Sequence, residues 1–379
     1  MRRISATCAL LLAVAISLSA ANVSIPNYQL LTRGTLDSGS FTLRTQANVD
    51  VLIGGGYKFG GQLGLGVDTD NVEQPADPEA TYSEQTLEAA LGRTLTLNTA
   101  QVIVRDLFSS GIDLHYFVGE YDRLLTGDLF PDRFGTGIIA TDLRGLVYFP
   151  DGVVYNGVHL IDGTGLAVSA SSIAPWLYLD GAIYQDSILG PGFYSADVRA
   201  GFNLQNFKAE TFLGASVPQA SFGVYRGGLL LYYSTGEGAA VMTQIGIPRW
   251  APGSDGSITI DDFYFLFEPR VYVGIISIVL TLFRHPEYYL QAPTNEQGAT
   301  DIIARFIAGN VEENALSGGL EGGVRLRPEG ADNTLEVSAS PFLTINASGV
   351  VWDIKTKFNV LPWEPSSMFE AYIGVRTQF

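Results

Sequence analysis

The sequence predicts an all-β protein, a transmembrane antiparallel up-and-down β-barrel of about 14–16 strands. Three observations carry that reading. Segments of roughly ten residues alternate apolar and polar side chains along much of the chain. The composition is apolar overall, with mean hydropathy +0.19 and 46% hydrophobic residues, yet residues 22–379 contain no apolar run long enough for a spanning helix. The N-terminus reads as an export signal.

That signal comes first in the chain. Arg2 and Arg3 form a positive start, Ala6–Ala20 is an apolar stretch, and Ser19, Ala20 and Ala21 offer small residues at a cleavage point before Asn22. The division is a signal peptide at 1–21 and one barrel domain at 22–379, with no repeat or linker between its segments. Cys8, the single cysteine, lies inside the signal, so the mature chain carries no thiol, disulfide or thiolate metal site. Removing residues 1–21, which hold two arginines and no acid, leaves 358 residues and moves the formal charge from −17 to −19. Such an acidic chain makes a poor partner for nucleic acid, whose phosphates need Lys and Arg. Lys58, Lys208, Lys355 and Lys357 are its only lysines.

The alternation starts at Phe41, Leu43, Ala47, Val49, Val51 and Ile53, interleaved with Thr42, Arg44, Gln46, Asn48 and Asp50. After the glycines at 54–56, Tyr57, Phe59, Leu63, Leu65 and Val67 alternate with Lys58, Gln62 and Asp68. Ile112–Tyr121 sets Asp113, His115 and Phe117 against Leu114, Tyr116 and Val118. Two further segments share one pattern: Ser195, Asp197 and Arg199 oppose Ala196 and Val198, then Lys208 and Glu210 oppose Phe207, Ala209 and Leu213. Thr334–Ile345, with Glu336 in its polar register, and Val350–Val360 are joined by Asn346–Gly349. The last segment places Glu370, Tyr372 and Arg376 opposite Phe369, Ala371, Ile373, Val375 and Phe379. Period-2 amphipathicity this frequent belongs to strands. Val271–Phe283, the longest apolar run, spans 13 residues rich in β-branched side chains.

The composition of the two faces separates a membrane barrel from a soluble sandwich. The polar register is rich in Gly, Ser, Asn and charges of both signs, whereas the apolar register mixes Ala and Val with aromatics at segment ends: Tyr57, Phe207, Trp352, Phe369 and Phe379. Aromatic rings favour membrane interfaces, where the ring is half-buried and its polar edge stays wet. Connections fall into short ones (54–56, 149–152, 204–206, 235–238 and 346–349) and long ones (69–88, 122–136, 249–257, 291–299 and 361–368). Barrels of this kind keep short turns at one end and long loops at the other.

Chemistry-bearing constellations are few. Residues 67–88 hold Asp68, Asp70, Glu73, Asp77, Glu79, Glu84 and Glu88, but DTDNVE lacks the glycine and ligand order of a calcium loop and reads as a solvated acidic loop. Lumen-lining candidates are Arg44, Asp50, Lys58, Asp113, His115, Asp197, Arg199, Lys208, Glu210, Asp353, Lys355, Lys357, Glu370 and Arg376, all in the polar register. Charges facing hydrocarbon are costly, whereas a wet or mutually paired lumen tolerates them. Two stretches, Phe263–Phe283 and Leu229–Tyr233, are apolar in both registers and must cover something apolar inside: a folded-in segment such as residues 22–36, or a path for greasy molecules. His115, His159 and His285 are the only imidazoles, none lies in a nucleophile motif, and each reads as structural. No cofactor, metal site or catalytic group is expected.

Export signal, two-residue alternation and the terminal Phe379 together resemble a bacterial outer-membrane β-barrel protein of the porin-like superfamily. The resemblance covers residues 22–379 as architecture only. It implies an outer-membrane location, contact with membrane lipid, and a last strand read by the barrel-insertion machinery, with Ile373, Val375 and Phe379 matching that signal and Thr377 departing from it. Its functional implication is a channel for small hydrophilic solutes. A plugged transporter of hydrophobic molecules and a structural or surface-binding barrel without flux stay open as alternatives.

Overall fold

The computed structural model of the chain describes residues 22–378 except 38–39, 55–57, 71–92, 137–156, 219–222, 237, 290–291, 294–296, 310–314, 329–334 and 365–367. The expected signal peptide, the turn at 149–152, most of the acidic stretch, and Tyr57 and Phe379 lie outside the described residues. The strands are β1 (Asn22–Asp37), β2 (Ser40–Gly54), β3 (Phe59–Asp70), β4 (Arg93–Val104), β5 (Ile112–Leu124), β6 (His159–Ala174), β7 (Leu177–Asp186), β8 (Phe193–Leu204), β9 (Phe207–Pro218) and β10 (Val224–Ser234). They continue as β11 (Ala239–Trp250), β12 (Tyr264–Val273), β13 (Ile276–Arg284), β14 (Tyr288–Tyr289), β15 (Ala292–Pro293), β16 (Thr300–Ala308), β17 (Leu316–Leu326), β18 (Leu335–Ala347), β19 (Val350–Leu361) and β20 (Phe369–Gln378). A short helix, α1 (Leu129–Phe134), follows β5. No helix among the described residues is long and apolar enough to cross a membrane.

Eighteen of these strands form one antiparallel sheet in sequence order, and β1 pairs with β20 to close it; β14 and β15 form a separate hairpin. The closing register runs from Asn27 opposite Gln378 to Thr35 opposite Glu370. Closure satisfies every strand edge internally, a condition the bilayer core imposes. The strand number exceeds the expected 14–16. Over 358 residues, 18 strands use about 20 residues per strand with its connection; among the described residues, four connections are only two residues long (175–176, 205–206, 274–275 and 348–349).

Those short connections share one end of the barrel, the end where β1 begins. Up-and-down topology places the connections after β2, β4, β6, β8, β10, β12, β16 and β18 there, and those after β1, β3, β5, β7, β9, β11, β13, β17 and β19 at the opposite end. The segregation expected from the sequence is partial: every connection longer than seven residues lies at that opposite end, but the ones after β1, β7 and β9 are short there too, at two, six and five residues. Ser348 (φ 56°) and Gly349 (φ 83°) show why two residues suffice: both are left-handed, as a hairpin turn matching the twist of its strands requires.

The period-2 pattern sorts side chains to two environments. On β8, Tyr194 and Val198 are more than half exposed on the outer wall, whereas Ser195, Asp197 and Arg199 are buried inside. Leu213 on β9, Ile183 on β7 and Ile278 on β13 likewise face outward. Aromatics ring the outer wall near the strand ends, among them Phe59, Trp176 and Phe207 at the short-turn end and Tyr225 and Trp363 at the other.

Candidate functional site

The inward register defines the lumen, and one segment inside it gives the lumen two unlike walls. After Leu124 the chain turns inward. Leu125 and Phe130 are buried in a cluster with Phe117, Val158, Phe212, Leu230, Tyr232, Tyr264, Leu266 and Phe283, and Leu129 is buried as well. Three inward glycines make room for it: an added Cβ would lie 2.3 Å from Leu129 Cδ2 at Gly201, 2.6 Å from Leu125 Cδ1 at Gly228 and 3.0 Å from Val158 Cγ1 at Gly246. This answers why two stretches are apolar in both registers. The covering segment is the β5–β6 connection, not residues 22–36, which are occupied as β1. Nor do residues 263–283 line a greasy path: Ile278 and Leu280 are exposed on the outer wall, and Tyr264, Leu266 and Phe283 pack on the folded-in segment.

Next to that segment the wall carries buried ionic networks. Arg199 donates to Asp122 (2.6 Å) and Asp180 (2.8 Å), with Glu210 at 3.6 Å. Arg226 grips Asp197 through two 2.7 Å bonds and also donates to Ser216 (2.6 Å) and Tyr184 (3.1 Å). Tyr184 donates to Asp197 at 2.9 Å, and His159 Nε2 lies 3.2 Å from the Tyr184 hydroxyl. On β12, Arg270 is paired with Glu268, which also accepts from Thr281 at 2.8 Å. Such planar two-point Arg–carboxylate pairs offset the desolvation of both ions by saturating their hydrogen-bonding groups.

The wall from β16 through β20 to β1 is ionic too, but wetter. Glu321 accepts from Arg305 and from Lys355 (2.7 Å), and Asp301 accepts from Arg325 (2.7 Å) with His285 Nε2 at 2.8 Å. Glu370 is shared by Arg33 (3.0 Å), Lys357 (3.3 Å) and Tyr372. Arg376 lies 3.3 Å from Asp353, which also accepts from Thr344. In three of these pairs the cation is the exposed member: 39% against 12% for Arg376–Asp353, 35% against 13% for Lys357–Glu370 and 25% against 7% for Arg325–Asp301. Water on this side therefore meets the positive ends of the pairs.

The sequence-derived candidates fall into four groups. Asp197, Arg199 and Glu210 join the buried networks beside the folded-in segment, and Lys208 sits over the Tyr232 ring at 5.4 Å. Asp353, Lys355, Lys357, Glu370 and Arg376 gather on the wetter wall. His115 is buried with its ring 5.5 Å from Tyr121, Asp50 is in register with Gly64, and Arg44 is in register with Arg33 and Asp70. Lys58 and Asp113 belong to the short-turn rim. Lys58 precedes β3 and donates to the Asp106 carbonyl; Asp113 accepts from the Asp106 N–H at 2.8 Å. Ile373 is exposed on the outer face of β20 and Val375 shares its register.

Sequence reasoning left out Arg33, Asp122, Asp180, Arg226, Glu268, Arg270, Asp301, Arg305, Glu321 and Arg325. The signal was present for Glu268 and Arg270: they are the only charges in Phe263–Phe283 and stand two residues apart, hence on one face.

A closed 18-stranded antiparallel barrel, apolar outside and ionic inside, is the fold of bacterial outer-membrane porins. No family model and no curated protein sequence matches the chain. Among solved structures it resembles Acinetobacter baumannii OccAB4 (10% identity, TM-score 0.55, covering 93% of this chain and 97% of that one). It also resembles Pseudomonas aeruginosa OpdK solved with vanillate (12%, TM-score 0.55, 95% and 98%) and OccK2, or OpdF, of the same organism (11%, TM-score 0.54, 94% and 97%). At these identities the likeness establishes the fold.

Proposed function

We propose that the protein is a diffusion channel of a bacterial outer membrane that passes small hydrophilic solutes. The observation that carries this reading is the inequality of the two lumen walls. The folded-in segment covers the inward face of β7 to β12, while on the opposite side Arg325, Lys357 and Arg376 remain 25–39% exposed inside the barrel. A barrel of this strand number has interior space beyond what side chains fill, and the exposed groups lining it are charged, which suits hydrated solutes better than greasy ones. The fold's likeness to porins supports the same reading. The proposal includes a bacterial outer-membrane location, lipid contact along the apolar outer wall and, from the N-terminal sequence alone, removal of residues 1–21 on export. The test is conductance of the purified, folded barrel in planar bilayers. Stepwise ohmic currents are expected; folded protein that inserts without conducting would defeat the proposal. N-terminal sequencing of the exported chain, with Asn22 expected first, tests the signal.

A further inference from the structure

The folded-in segment is held at its first residue from two sides. Leu125 is fully buried and left-handed (φ 61°), a conformation that L residues other than Asn and Asp seldom keep without support. Its N–H donates to Glu210 Oε1 on β9 at 2.8 Å, and its carbonyl accepts from Gln244 Nε2 on β11 at 2.5 Å. The Tyr264 hydroxyl on β12 donates to Gln244 Oε1 at 3.0 Å. The Leu125 carbonyl fixes which way the amide points: it can only accept, so the NH2 group must face it, and the amide oxygen is left to accept from Tyr264. Glu210 is turned toward the segment with Arg199 3.6 Å from the same Oε1. Beneath the clamp, Gly201 and Gly228 leave the space that Leu129 and Leu125 occupy.

We propose that Glu210 and Gln244 are positioning residues of the channel: by clamping the Leu125 peptide they hold residues 125–136 against one wall and so set the width of the wet passage along the other. The inference rests on the channel reading. It concerns two residues that face protein rather than solute, so their effect reaches a permeant solute only through the placement of the segment.

The experiment is single-channel conductance of wild type, E210A, Q244A, E210Q, G201L and G374A, with folding of each variant verified by its heat-dependent shift in gel mobility. E210A, Q244A and G201L are expected to change conductance by roughly twofold or more, with added open-channel noise as the segment loses its fixed place. E210Q keeps a carbonyl oxygen for the Leu125 N–H and is expected to stay near wild type. G374A lies on the opposite wall, where a Cβ meets only ordinary contacts of 3.4 Å and 3.6 Å, and is expected to match wild type. The proposal is overturned if folded E210A, Q244A and G201L all conduct as wild type does, or if E210Q departs as far as E210A. Should E210A not fold, Q244A and G201L, which leave the Arg199 carboxylates intact, carry the test. A silent wild type would instead refute the channel reading itself.

Discussion

Replacing Arg226 with Met tests how the inner wall is stabilised. Met keeps an unbranched stem of comparable reach and removes the guanidinium. The structure sets the magnitude. Arg226 and Asp197 side chains are 0% and 1% exposed, the pair is two-point at 2.7 Å, and two further bonds, to Ser216 and Tyr184, vanish with it. Asp197 would keep only Tyr184 and His159, neither a permanent cation. Stranding a buried carboxylate in this way costs about 3–5 kcal/mol. R226M combined with D197N strands no charge and is expected to recover part of that, leaving a deficit of about 1–3 kcal/mol from unpaired polar groups. The comparison is R123A, which breaks the Arg123–Glu120 pair, 31% exposed on both sides, for about 0–1 kcal/mol. Urea unfolding in detergent micelles, followed by tryptophan fluorescence, reads all three. The reasoning fails if R226M costs no more than R123A, or if the double variant is less stable than R226M.

Further expectations concern the other surfaces. Val198 lies midway along β8 on the outer wall, 61% exposed, so V198K is expected to destabilise the membrane-inserted barrel by about 2–4 kcal/mol, measured by unfolding in liposomes; a cost under about 0.5 kcal/mol would place Val198 away from lipid. Because Lys357 and Arg376 are the wet members of their pairs, K357Q with R376Q is expected to move the reversal potential in a salt gradient toward cation preference, and an unchanged potential would mean that ions do not pass this wall. G349V forces a β-branched residue to φ 83° in the β18–β19 turn and is expected to cost about 1–2 kcal/mol, readable in the same unfolding assay.

How far the sequence discloses this structure depends on which physical rule governs each part. Alternation discloses the walls: Asp197 and Arg199 inside and Val198 outside follow from period 2 alone. Strand number does not follow, because a hairpin closed by two residues, as at 175–176 and 274–275, can leave no polar gap. Val271–Phe283 reads as one apolar run, yet it bends at Gly274–Ile275, where Gly274 is left-handed at φ 60° and divides β12 from β13. Doubly apolar stretches announce that the lumen holds a folded segment, but not which one. That identity resides in tertiary fit, in Gly201 against Leu129 and Gly228 against Leu125, whose partners are 72 and 103 residues away in sequence. Pairing inside the lumen is equally illegible, since Arg305–Glu321–Lys355 assembles only once the four strands β16 to β19 are in register.

The β1–β20 register gives the barrel a property of rings: no strand is structurally first. Asn27 sits opposite Gln378, and Arg33 meets Glu370 across 337 residues of chain, as local a contact in space as any hairpin pair. The order in which the strands are made is thus a matter of covalent bookkeeping, and the sheet itself would accept another. A cyclic permutant opened at the two-residue turn 205–206 would keep every ladder but the start of one hairpin. The link that makes β1 neighbour β20 would then become a turn like its fellows, and the closing seam, the last pairing a linear chain can complete, would move to β8 and β9.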